Sequence, residues 1–314
     1  MKISVAAAAR EDEQPPTEAL DVAVAADRLG YGEVWLGEGP TWDAFALAAT
    51  VGGATPRIAV TAGPVPVSVR DPLTIVRGAA SVEALTGRPI GVALGTSSTR
   101  VVEGVHGRSR ARPVGDLRDC AAAYVAHRHG EWFGATDTHG FRRRLRPATG
   151  PLTIAAFGDR AIAIAAEYAD RMLLDLVSVE QVRELRAKLD AAGGRRPTLA
   201  AWLPAAVDPD DASYAQLMHA LAGYLPVRGY QEVFVAAGFG AAVELAGRGA
   251  PREELVAALP EHAARAVGLV GDLATVRERI AEYAEAGLDE VAIVPATAGD
   301  PAGERTLTAL ASPQ

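Results

Sequence analysis

The chain has 314 residues, 49% of them apolar and only 5% aromatic, so a large core is available but Ala, Val and Leu must fill it. A formal net charge of −8 and a pI near 5.4 argue against nucleic acid or an anionic membrane as partner. The lysines are Lys2 and Lys188 alone, which leaves Schiff-base chemistry almost no candidate, and the lone Cys120 excludes a disulfide framework and a cysteine-rich metal site.

Taken in order, Ile3–Ala9 reads as a first strand and Thr17–Leu29 as a helix stopped by Gly30. Val34–Gly37 is strand two, Trp42–Gly52 a helix, and Ile58–Ala62 strand three. Pro72 opens a helix to Leu85, as suits proline at a first helical position. Ile90–Gly95 is strand four, and Pro113–His129 is helical. The polar stretch 130–147 reads as an insertion. Leu152–Ala156, Met172–Leu176 and Thr198–Val207 are strands five to seven, with helices over Arg160–Ala169 and Val179–Ala192 between them. A helical excursion over 211–265 then breaks the rhythm. Asp272 caps a helix to Ala286, Glu290–Pro295 is strand eight, and a last helix runs from Gly303 to Ala311.

One phrase occurs at both ends. Gly30-Tyr31-Gly32-Glu33-Val34-Trp35-Leu36 is echoed by Gly287-Leu288-Asp289-Glu290-Val291-Ala292-Ile293. Each is a helix, a glycine stop and a buried-type strand, the αβ unit of a parallel sheet. First and last units of one design, with eight strands alternating with helices, predict an α/β fold that closes into a (β/α)8 TIM barrel, a single domain over 1–314. Function is then expected in the loops after the strands. No leader-like segment opens the chain and no apolar run reaches the ~20 residues of a membrane span, so a cytoplasmic protein is expected.

Several patterns fail. Val235 to Val243 looks like a dinucleotide fingerprint, but its third small position is Val243 and no acid ends a following strand; it reads as a helix–helix turn. His127, His129, Glu131 and His139 lack metal-ligand spacing, so no metal site is expected. Arg142-Arg143-Arg144 reads as a solvated basic run. Cys120 sits in an amphipathic Ala/Leu pattern and reads as a packed thiol.

Three loops after strands carry chemistry. Thr61-Ala62-Gly63-Pro64-Val65-Pro66 implies a sharp bulge after strand three. Gly95-Thr96-Ser97-Ser98 after strand four offers hydroxyls and free amides to an anion or a ring carbonyl. Phe157-Gly158-Asp159-Arg160 opens a helix after strand five, a position suited to phosphate, although Asp159 would repel one. Plain turns and caps are the competing readings; three such loops on one face together read as a cofactor site.

The chain resembles the bacterial-luciferase-like superfamily, and within it the coenzyme F420-dependent oxidoreductases. The resemblance is carried by 29–36, by Val69-Arg70-Asp71-Pro72 with Leu85-Thr86-Gly87-Arg88, by 101–108, by Ala166-Glu167-Tyr168-Ala169-Asp170, and by 270–272 with 294–300. It implies a luciferase-like barrel with an insertion, a homodimer, and a deazaflavin or flavin lying across the mouth against the bulge after strand three. It further implies a cis peptide at that bulge, here Gly63–Pro64. Two departures stand out. After strand two the chain has Gly37-Glu38-Gly39 where several relatives place an acid and then a histidine, so a histidine-led mechanism does not transfer. Arg171 replaces the usual glycine after Asp170 and bears on strand six.

The expected function is F420-dependent hydride transfer to or from a small organic substrate. An FMN-dependent monooxygenase on the same barrel is the alternative, and a redox-inactive deazaflavin- or flavin-binding protein the second. The expected cofactor-binding residues are Ala62, Gly63, Pro64, Gly95, Thr96, Ser97, Ser98, Phe157, Gly158, Asp159 and Arg160. Glu38, at a strand end, is the first candidate proton donor or acceptor, and His106 the second. A surface glutamate and a loop histidine are the competing readings. Trp42 and Asp43 are expected near the substrate.

Overall fold

The computed structural model describes residues 1–8, 15–128 and 146–311. The segments 9–14, 129–145 and 312–314 lie outside it, so all but the last two residues of the expected insertion, the arginine run, three of the four metal-cluster residues and the end of strand one belong to the undescribed part.

Each barrel strand carries apolar residues on both faces, as a strand covered by helices outside and a packed core inside must. The chain runs β1 (Lys2–Ala7), α1 (Thr17–Arg28), β2 (Glu33–Leu36), α2 (Ala44–Ala54), β3 (Ala59–Pro66), α3 (Pro72–Thr86), β4 (Ile90–Gly95), α4 (Pro113–Arg128), β5 (Leu152–Ala155), α5 (Asp159–Tyr168), β6 (Arg171–Asp175), α6 (Val179–Ala191) and β7 (Thr198–Val207). The excursion holds α7 (Asp211–Tyr224), α8 (Gln231–Ala236), α9 (Gly240–Gly247), α10 (Arg252–Ala258) and α11 (Ala263–Ala266). Then come β8 (Leu269–Gly271), α12 (Leu273–Glu285), β9 (Glu290–Pro295) and α13 (Glu304–Leu310).

All pairings are parallel, and β1 to β7 with β9 close into an eight-stranded barrel through the β1–β9, β7–β9 and β6–β7 pairs. The helical excursion after β7 is as expected. The short β8 is an addition: it pairs with the upper half of β7, outside the ring. The two echoed units do what glycine stops require. Gly30 and Gly287 take φ of 86° and 98°, a region that a β-carbon disfavours. Asp43, Asp71, Asp210 and Asp272 each accept a backbone N–H in the first turn of the helix that follows. Cys120 is buried and free, and burial pushes its thiol up to about 12, as suits packing. The fingerprint-like stretch is the turn from α8 to α9, with Gly238 at φ 92°.

The bottom of the barrel is polar. Arg171 does not disturb strand six. Its side chain points inward and bonds both carboxylate oxygens of Glu33 at 2.8 Å, Glu290 at 3.0 Å, Thr61 at 3.2 Å and Thr153 at 3.1 Å. Its guanidinium lies 3.9 Å from the centre of the Trp35 ring. Lys2 joins Glu33 and Glu290, so two cations meet two carboxylates. Ser4 donates to Glu290 and accepts from the Trp35 indole at 3.0 Å. Above this floor Ala6, Trp35, Ala93, Leu173, Ala200 and Ala292 fill the axis. The mouth begins above them. No helix of the described residues is long and apolar enough to cross a membrane.

Candidate active site at the barrel mouth

Side chains alternate along a strand, so residues two apart share a face. In β6 the inward face reads Arg171, Leu173, Asp175. Arg171 is in the floor and Leu173 in the axial cluster, which puts Asp175 in the layer at the mouth. On β7, Trp202 is the register partner of Asp175. Its ring packs edge-on to Trp35, 6.1 Å between centroids, and its Nε1 is a buried donor with no hydrogen-bond partner among the described residues.

On the opposite side, β3, β4 and β5 end in small residues. The β3–β4 register slips between Ala62 and Val65, which is the expected bulge, and the Gly63–Pro64 peptide is cis. A β-carbon on Gly63 would stand 2.3 Å from the Ala93 carbonyl oxygen. One on Gly95 would stand 3.0 Å from Pro64 Cβ and 3.8 Å from Ala155 Cβ. Gly63, Pro64, Gly95 and Ala155 therefore meet in one shallow saddle. Gly37 continues it toward β7, where an added β-carbon would touch the Trp202 ring at 3.3 Å.

The remaining expected residues divide. Ala62 is fully buried in the cluster between strands and helices, so its side chain faces away from the mouth. Thr96, Ser97 and Ser98 form a half-exposed loop, with Ser97 at φ 53°. Arg110 braces this loop through the carbonyls of Ser97 at 3.1 Å and Thr96 at 3.4 Å. Burial and the nearby Arg228 both disfavour its charge, Glu103 favours it, and no salt bridge to Arg110 or Arg228 occurs among the described residues. Phe157 packs edge-on to Tyr230, 5.2 Å between centroids. Gly158, Asp159 and Arg160 are exposed at the start of α5. Asp159 pairs with Lys188 at 3.3 Å, and Arg160 lines a groove with Arg112 and Arg118 between α4 and α5, on the helical layer. The structure does not bring this last pair to the saddle.

Glu38 is held fast. Arg70 grips both carboxylate oxygens at 2.7 Å, and the Ala44 amide donates to one at 3.2 Å. Arg70 also reaches Asp43, which caps α2. Both carboxylate oxygens of Glu38 are thus engaged, and the Arg70 pair ties the loop after β2 to the loop after β3. His106 is exposed, its backbone N–H closing the π-helical turn Arg100–Val105. Trp42 is partly buried against the main core.

Sequence reading missed one buried acid–hydroxyl pair at the mouth. Asp175 Oδ2 accepts the Tyr230 hydroxyl at 2.7 Å. Tyr230, at the start of α8, also stacks with Tyr224 and Phe234, and with Phe157 forms an aromatic shelf over the β5 and β6 ends. An acid closing an apolar strand was visible at Asp175; its partner 55 residues on was not. No cluster of three metal-binding side chains occurs among the described residues.

The sequence profile of the luciferase-like monooxygenases matches residues 1–290. The chain belongs to that family. Among luciferase-like proteins it is 25% identical, over 95% of both chains, to a Mycobacterium tuberculosis protein provisionally assigned as a coenzyme F420-dependent oxidoreductase. Its fold is similar to that of the coenzyme F420-dependent tetrahydromethanopterin reductase of Methanopyrus kandleri, with a TM-score of 0.77, 16% identity and coverage of 99% and 98% of the two chains. It is also similar to the FMN-bound oxygenating component of 3,6-diketocamphane monooxygenase from Pseudomonas putida, with a TM-score of 0.70, 14% identity and the same coverage. At those identities the likeness is one of fold.

Proposed function

We propose that this luciferase-like protein is a coenzyme F420-dependent oxidoreductase acting on a small organic substrate. The observation that carries the reading is the close approach of Gly63, Pro64, Gly95 and Ala155 at the strand ends, together with a Trp202 N–H that has no hydrogen-bond partner among the described residues. A planar ring with acceptor atoms would suit a surface of such small residues beside an indole donor, and a side chain at Gly95 would crowd Pro64. The 25% identical relative supports the choice of deazaflavin. Bound, that cofactor supplies a carbon able to give or take a hydride. The protein's own part is to hold the ring on the saddle, to meet the phosphate with the Thr96–Ser98 loop, Arg110 and Arg228, and to keep the two upper loops in place through the Glu38–Arg70 pair. Glu38 is in this reading a positioning residue, because Arg70 and the Ala44 amide already occupy its oxygens.

FMN chemistry is the second reading, favoured by the family profile and by the FMN-bound fold neighbour. Parallel binding titrations of the purified chain with coenzyme F420 and FMN separate the two. Tighter F420 binding, weakened about tenfold or more by Gly95→Val, is the expected result, since the new side chain presses on Pro64. FMN binding alone would replace the proposal with the second reading, and unchanged affinity in Gly95→Val would remove the ring from the saddle.

A further inference from the structure

We propose that Asp175, in hydrogen-bonded partnership with Tyr230, is the acid that exchanges a proton with the substrate; the role rests on hydride transfer being the reaction of this site. Asp175 ends β6 on the inward face, at the mouth and beside the saddle's indole donor. Its Oδ2 accepts the Tyr230 hydroxyl, and no other side chain bonds the carboxyl among the described residues. Among the described residues no cation pairs with it. The titratable groups facing it are Tyr230 from the start of α8 and Tyr224 from the end of α7. Trp202 from β7 and Phe157 from the β5 loop add only apolar surface and one neutral donor.

The electrostatics agree with that surrounding. Burial raises the Asp175 carboxyl to about 7, against the lowering effect of the Tyr230 hydroxyl and the Leu176 backbone. Burial and the neighbouring acid keep the Tyr230 hydroxyl protonated, so it acts as donor throughout. A buried carboxyl raised to about 7, with no cation paired to it among the described residues, is matched to proton transfer. Glu38 is instead locked by Arg70, and His106 lies exposed on the turn after β4.

The step balances as follows. The hydride that a bound reduced deazaflavin would supply would add to the carbon of a C=O or C=N bond of the substrate. The π electron pair of that bond moves to the heteroatom, which takes the proton from Asp175. Asp175 is left as a carboxylate accepting from Tyr230, and solvent returns its proton. In the oxidative direction the carboxylate removes the hydroxyl or amine proton while the hydride leaves. Trp202 Nε1 can donate to the same heteroatom as its charge grows.

The test begins without any cofactor. In protein carrying 13C-labelled aspartate, the carboxyl resonance absent from Asp175→Asn is expected to titrate near 7 and to move upward in Tyr230→Phe, because the carboxylate loses its donor. A midpoint below about 5 would overturn the proposal. The second arm uses coenzyme F420 and, as acceptor probes, cyclohexanone and cyclohexenone. Asp175→Asn should bind F420 within about threefold of the parent and lower the rate of reduced-F420 oxidation by ~100-fold or more, with loss of the pH limb near 7. Asp175→Glu should restore part of the rate. An unaltered rate and pH profile in Asp175→Asn would overturn the assignment. Failure of the parent chain to bind F420 would instead sink the cofactor reading, and the carboxyl titration would still decide whether Asp175 is a proton-exchanging group.

Discussion

Arg171 reaches β2, β3, β5 and β9 from β6 and is nearly enclosed. Removing it by Arg171→Met leaves Glu33 and Glu290 with Lys2 as their only cation, and should cost about 3–5 kcal/mol in urea unfolding. Adding Glu33→Gln and Glu290→Gln to that variant should recover part of the loss, because the uncompensated charges go with them. Glu33 also sets a pH dependence. Burial opposes its charge, yet the Arg171 hydrogen bond and charge, with Lys2, hold its pKa at about 2 against an ordinary 4.5. A carboxyl lowered on folding stabilises fully above its unfolded value and loses that contribution as the pH falls through the folded one. Between pH 4.5 and 2 the parent should therefore lose on the order of 3 kcal/mol from this group alone. Chemical denaturation across that window checks it: Glu33→Gln should show a shallower fall.

At the scale of elements, strands and helices were readable because their signals are local. Glycine stops at Gly30 and Gly287, the Asp71-Pro72 start and the Asp272 cap are each written within four residues. The three residues of β8 were not, since a period of two needs a longer run and their partner is β7, more than 60 residues away. The excursion's helices were readable, but their attachment was not. Gln216 on α7 accepts from the amides of Thr297 at 2.8 Å and Ala298 at 2.7 Å, and Ser213 donates to the Ala298 carbonyl at 2.7 Å. These bonds latch the excursion to the loop after β9, beside the shelf that carries Tyr230. Gln216→Leu would strip both amides of their acceptor and should cost about 1–3 kcal/mol. Faster hydrogen exchange at 297 and 298, spreading into α7, is the expected signature; unchanged exchange there would mean that the latch is dispensable.

For the whole molecule, closure of the barrel followed from the repeated unit at its two ends, and closure alone located the mouth. Within the mouth, the bulge at Gly63 and Pro64 was legible because turn chemistry is local, whereas the groove between α4 and α5 that Arg160 lines was not, because a helix start says nothing about how far out the helix lies. Arg171 looked like a departure from pattern and is instead the hub of the floor. Asp175 with Tyr230, and Arg110 with Arg228, come near one another only through tertiary contacts, which no window of sequence contains.

The polar floor has a kinetic consequence. Ser4 and Glu290 bond across 286 residues of chain, and β1 has no ring neighbour on that side until β9 arrives. Loop closure over such a span comes late, so this seam should be unformed at the rate-limiting barrier of folding. Ser4→Ala should then leave the refolding rate close to that of the parent and speed unfolding by nearly the whole of its destabilisation, as stopped-flow measurements on both limbs can resolve. A refolding rate slowed in proportion to the lost stability would mean that the first and last strands meet early.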